Sequence, residues 1–190
     1  MASGRGHQPI MLMGAAGLLA VALVACSGLA KTPGGKGSAG SAGSSGTQPP
    51  AVALPAPQPV ADGPCRYLPA TSVESANGER VTRVRISATG PGQPYPACFF
   101  LTYHDAVQLR TWIVVSTPRA AGATVDAAAP VATSDLVELP GGWSGGSQPT
   151  AEGAVFAVAK QGTAVVITTN QRQTIGARRI AEQVIATLGL

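Results

Sequence analysis

Residues 153–190 read GAVFAVAKQGTAVVITTNQRQTIGARRIAEQVIATLGL, and the reading of this stretch decides the fold class. Gly153–Lys160 and Thr163–Thr169 are apolar runs of strand length, rich in valine, with threonine and isoleucine in the second. The pair Gln161-Gly162 between them is suited to a tight turn, so the two runs predict a hairpin. After Asn170 the apolar period changes. Ile175, Ile180, Ala181, Val184, Ile185 and Leu188 fall mainly on one face of a helix, with Arg178, Arg179, Glu182 and Gln183 largely opposite. Asn170 is the expected cap, with Gln173 three residues on. A hairpin followed by an amphipathic helix is an antiparallel unit covered on one side.

The same order occurs upstream. In Arg80–Ser87, Thr82, Val84 and Ile86 alternate with Arg83 and Arg85, the pattern of a half-buried strand with a solvated arginine face. Gly90–Pro96 reads as a turn region. Cys98–Tyr103 and Leu109–Val115 are two further strands, and His104-Asp105-Ala106 is their hairpin connection. Thr117-Pro118 supplies a cap and a first-turn proline for an alanine-rich helix that Pro130 ends. Val131–Pro149 reads mostly as loop. Two strand-strand-helix units predict an α+β fold, a mainly antiparallel sheet flanked by helices, in a single domain over residues 63–190.

Ahead of that domain the composition changes twice. Met1–Gln8 carries Arg5, and Ile10–Leu23 is an uncharged apolar run, so residues 1–25 read as an export signal rather than a spanning helix. The segment ends in Leu23-Val24-Ala25-Cys26, which resembles the bacterial lipobox, with small residues before a cysteine whose thiol receives diacylglycerol. Cys26 is the expected lipidation site. Two acyl chains suffice for stable attachment, at about 0.8 kcal/mol for each buried methylene. Residues 26–62 then form the expected tether: glycine- and serine-rich at first and proline-rich later, with no periodic apolar face. The remaining cysteines, Cys65 and Cys98, are an even pair in an exported chain, so a disulfide between them is the default expectation.

The chain of 190 residues carries a formal charge of +4, without a dense basic stripe, which argues against a nucleic-acid footprint. Gly142-Trp143-Ser144-Gly145-Gly146 matches the G-x-S-x-G of a hydrolase nucleophile elbow, which requires a strand entering the serine and a helix leaving it. Proline and glycine on both sides of Ser144 deny both elements. His7 departs with the signal, which leaves His104 as the general base, with Asp105 as its sequence neighbour and so poorly placed to orient it. Asp126, Asp135, Glu138 and Glu152 match no metal spacing, and no phosphate-binding or dinucleotide fingerprint is present. No catalytic residue, cofactor or metal is therefore assigned. Trp143 is expected to pack at the domain edge, with a partner contact as its second reading. Asn170 and Gln171, polar residues at a helix start, are the other candidate contacts.

Several stretches together carry a resemblance: CRYLPATSVESANGERV from Cys65, PACFFLTY from Pro96, VDAAAPV from Val125, GGWSGG from Gly141, AVFAVAKQGTAVVITTNQRQT from Ala154 and RRIAEQVIATLGL from Arg178. They resemble an actinobacterial family of lipoproteins, found in mycobacteria, corynebacteria and relatives and classed only as a domain of unknown function. The likeness spans about Cys65 to Leu190. It implies a surface location and lipidation, and it supplies no activity and no catalytic residues. The combined expectation is a lipid-anchored protein on the extracytoplasmic face of the cell membrane, with a non-catalytic binding or scaffolding domain. Its ligand would be an unidentified protein or lipid. A lipid or small-molecule carrier is the first alternative, and a serine hydrolase using Ser144 the second.

Overall fold

A computed structural model describes residues 52–190; Cys26 and the expected export signal lie outside the described residues. Strand β1 (Pro59–Asp62) leads into helix α1 (Ala70–Asn77), and three strands follow, β2 (Arg83–Ser87), β3 (Cys98–Leu101) and β4 (Val107–Val115). Helix α2 (Pro118–Ala128) separates these from β5 (Asp135–Leu139), β6 (Trp143–Thr150), β7 (Gly153–Lys160) and β8 (Thr163–Thr169), and helix α3 (Thr174–Leu188) closes the chain. The eight strands of the described residues form one sheet in the order β1-β2-β3-β4-β8-β7-β6-β5. Every neighbouring pair is antiparallel. Two four-stranded meanders are thus joined edge to edge through β4 and β8. The fold is α+β, as the hairpin-helix pattern predicts.

Strand alternation sends side chains to two cores. Phe100, Leu109, Ile113, Phe156, Val165 and Ile167 meet Val73 of α1 and Ala177, Ile180, Ala181 and Val184 of α3. Phe99, Leu101, Trp112, Val114, Val155, Ala157 and Val166 face the other way, toward Ala121 and Val125 of α2. The sheet therefore lies between α1 and α3 on one face and α2 on the other. Because β4, β7 and β8 are buried on both faces, they read as continuous apolar runs rather than as alternating ones.

The structure departs from the sequence pattern in four places. Residues 131–149, expected as loop, hold β5 and most of β6, joined by Pro140-Gly141-Gly142 with Leu139 paired to Trp143. Gly141 and Gly142 take φ of 86° and 84°, which glycine adopts without strain. WSGGSQPT lacks β-branched residues except at its last position, so pairing on both flanks, rather than propensity, makes β6 a strand. The expected tether also ends earlier than residue 62. Pro57 is buried, the Leu54 amide donates to Thr124 Oγ1 at 3.3 Å, and β1 pairs with β2. Helix α1 has no periodic signature because Val73 is its only fully buried residue. Finally, Asn170 does not cap α3. The helix begins at Thr174, so the cap position is Gln173, without a side-chain hydrogen bond, and the Asn170 oxygen accepts from Gln171 Nε2 while its amide donates to Glu79.

Cys65 and Cys98 are joined by a disulfide, with 5.7 Å between their Cα atoms. The bridge fastens the segment before α1 to the buried start of β3. Tyr67, two residues on, hydrogen-bonds the Pro96 carbonyl and Thr111 Oγ1, each at 2.8 Å. A β-bulge in β4 lies between the pairs Phe100–Leu109 and Leu101–Val107 and leaves Gln108 as the extra residue. Re-aimed by the bulge, fully buried Gln108 donates to the Arg80 carbonyl and receives Asn77 Nδ2 on its own carbonyl at 3.0 Å. Thr169 Oγ1 donates to Asn77 Oδ1, so this polar network ties α1 to the ends of β4 and β8.

Candidate functional site

Helix α2 packs mainly over β6, β7 and β8, and past its end at Ala128 the same face of β4 carries exposed Val107 and half-buried Arg110. At this step lies a solvent-open pocket of about 550 Å³. Its floor comes from one register row. Phe99 of β3 pairs with Arg110 of β4, Arg110 with Thr168 of β8, and Thr168 with Val155 of β7. Ala128 at the end of α2 and the β6–β7 turn, Thr150 to Glu152, also line it, as do Val107 and Asn170.

The row continues outward. Arg85 of β2 pairs with Phe99, and Asp62 of β1 pairs with Arg85. Three arginines therefore stand on this face of β2 and β4. Arg83 is ion-paired with Asp105 at 3.0 Å and Arg85 with Asp62 at 3.4 Å, although the buried Arg85 Nε makes no hydrogen bond. Arg110 has no ion pair among the described residues, and its Nε is buried without a hydrogen-bond partner. Burial in these apolar surroundings pushes the Arg110 pKa down, since removing the guanidinium from water disfavours its charged form. An arginine remains cationic at neutral pH. The pocket therefore offers one cationic side chain without an ion pair among the described residues, with planar donor geometry, in the register row between Phe99 and Thr168, and one acid, Glu152, in the same lining.

The residues singled out from sequence do not form a single site. Ser144 lies within β6, paired with Glu138 and Ala159, not at a strand-to-helix turn. His104 sits on the connection from β3 to β4, and β4, β8 and β7 intervene between β3 and β6. At about 4.8 Å per strand spacing, Ser144 and His104 stand well outside hydrogen-bond reach. The glycine following Ser144 has a packing role: a Cβ on Gly145 would run into the Ala157 carbonyl oxygen and the Val158 Cα. Trp143 is 2 % exposed in the core shared with α3, and Lys160 Nζ lies 5.3 Å from its ring centroid. Its packing role is thus the one the structure displays, in place of a surface contact. Gln171 Nε2 donates to Glu79 at 2.8 Å, whereas Asn170 reaches the pocket rim. Among the described residues, no group of three or more His, Cys, Asp or Glu side chains is placed to hold a metal ion.

Sequence reasoning passed over Arg110. The signal was present in LRTWIVV, where one charged residue interrupts a strand that is otherwise almost wholly apolar on both faces. Thr168 and Glu152 carry no such mark.

A family model described as a domain of unknown function (DUF2020) matches residues 50–190. Its start lies ahead of residue 63, in keeping with the ordered segment around Leu54 and Pro57. No curated protein matches the chain.

Proposed function

The chain belongs to the DUF2020 family, and from that premise we propose that it is a lipid-anchored binding protein of the cell envelope that holds a small ligand in the Arg110 pocket. The observation that carries the binding role is the pocket itself: preformed, open to solvent, mainly apolar, and floored by an arginine whose Nε has no partner among the described residues. Ligand sites combine this kind of apolar lining with a few convergent polar groups. Attachment through Cys26, on the extracytoplasmic face of the cell membrane, rests on the lipobox-like Leu23–Cys26 sequence and on the resemblance to actinobacterial lipoproteins. The Cys65–Cys98 disulfide supports this location, because such bridges persist in oxidising compartments.

Two measurements test the reading. Metabolic labelling with a palmitate analogue is expected to mark the wild-type chain and to miss Cys26→Ala; equal labelling of both overturns the anchor. Native mass spectrometry of the full chain extracted from envelopes is expected to show a bound small molecule that Ala128→Trp, which fills the pocket, excludes. An unchanged mass profile in that variant overturns the binding role.

A further inference from the structure

We propose that the Arg110 pocket selects an amphiphilic monocarboxylate, an apolar chain ending in one carboxylate that the Arg110 guanidinium receives. This inference rests on the reading of the pocket as a ligand site and adds the chemistry of the ligand. Three observations carry it.

The first is the charge inventory of one sheet face. Arg83 and Arg85 each have an acid within 3.4 Å, and Arg110 has none among the described residues. An arginine with a buried, unpartnered Nε carries a desolvation cost that an incoming anion relieves, and a carboxylate matches the planar donor fork. The second is the lining. Phe99, Val107, Ala128, Ala154 and Val155 give the pocket an apolar character that a bare inorganic anion leaves unused. Its volume of about 550 Å³ lies in the ordinary range for small-molecule sites, about 300–1,000 Å³. The third is valence. Among the described residues, Arg110 is the only cation lining the pocket and Glu152 the only acid. A single negative charge can pair with Arg110. A second one would be uncompensated in partly desolvated surroundings and would face Glu152, so a phosphate dianion fits less well. The hydroxyls of Thr150 and Thr168 and the Asn170 amide are further donors toward carboxylate oxygens.

The test titrates decanoate, decan-1-ol and decyl phosphate into the full chain, read by displacement of a dansylated undecanoate and by the Nε–H resonance of Arg110. Decanoate is expected to bind saturably and to move that resonance, with decanol at least about tenfold weaker and decyl phosphate weaker than decanoate. Arg110→Gln is expected to weaken decanoate by about tenfold or more and leave decanol unchanged, with Arg110→Lys between the two. Ala128→Phe keeps Arg110 and fills the space, and is expected to abolish binding of both; it also identifies any binding elsewhere on the chain. Equal affinity for decanoate and decanol, tighter binding of decyl phosphate, or wild-type affinity in Arg110→Gln overturns the proposal. So does a lack of saturable decanoate binding, and a co-purifying ligand excluded by Ala128→Trp would then leave the wider binding role standing.

Discussion

On one face of the sheet, α1 and α3 cover Phe100, Phe156 and Ile167, and Trp143 seals the far side beside α3. On the other, α2 ends at Ala128, and Phe99, Arg110 and Val107 are left bordering open space. The same strands build both faces. Leu109, Thr111 and Ile113 of β4 point to the closed side, while Arg110, Trp112 and Val114 point to the open side. Residue parity thus sends each β4 side chain to one of two buried cores, and the proposed ligand pocket borders only the core that faces α2, so a substitution should touch binding only on that side.

The largest effect is expected on the closed face. Phe156 is 1 % exposed there, and Phe156→Ala should cost about 3–5 kcal/mol in urea unfolding, from lost transfer energy and the cavity left behind. A loss well under 1 kcal/mol would mean that this core is not the one that holds the fold. Replacing both Cys65 and Cys98 by alanine should cost about 2–4 kcal/mol, seen as a lower unfolding midpoint that reducing agent no longer shifts.

A third prediction uses pH. Burial raises the Tyr67 phenol to about 12, with the Thr111 hydrogen bond partly opposing the shift. An unfolded tyrosine titrates near 10, so between about pH 10 and 12 the folded chain binds more protons than the unfolded one. The contribution of Tyr67 is therefore fully present below about pH 10 and lost as pH rises through 12, by about 2–3 kcal/mol. Tyr67→Phe should flatten that part of the stability profile. The smallest effect is expected on the open face. Arg110→Met removes a buried, unpartnered Nε, so its unfolding free energy should stay within about 1 kcal/mol of wild type, on the stabilising side. A loss of several kcal/mol would make Arg110 a structural residue and erase the contrast between the faces.

How much of this was legible beforehand follows from the same contrast. Strands β7 and β8 announce themselves as continuous apolar runs, because burial on both faces chooses their side chains, and helix α3 by the period of its one buried face. The Cys65–Cys98 bridge needed only the count of cysteines left after Cys26. Strand β6 stayed hidden because the close approach of its neighbours demands Gly145 and Gly146 where a strand normally shows branched residues. Helix α1 buries one valine fully, too little for a pattern, and β1 is an edge strand opened by Pro59, written in the same residues as a tether. The pocket was the least legible part. Phe99, Arg110 and Thr168 come from three separate strands, and only the register between them makes them neighbours.

The two tryptophans of the chain fall one on each side of the sheet: Trp143 at 2 % exposure under α3, Trp112 at 4 % in the layer facing α2. The molecule therefore carries a separate intrinsic fluorophore in each layer. With Trp112→Phe the emission comes from the α3 layer alone, and with Trp143→Phe from the α2 layer alone. Loosening of one layer ahead of the other would then appear as two red shifts at different denaturant concentrations, without any added dye.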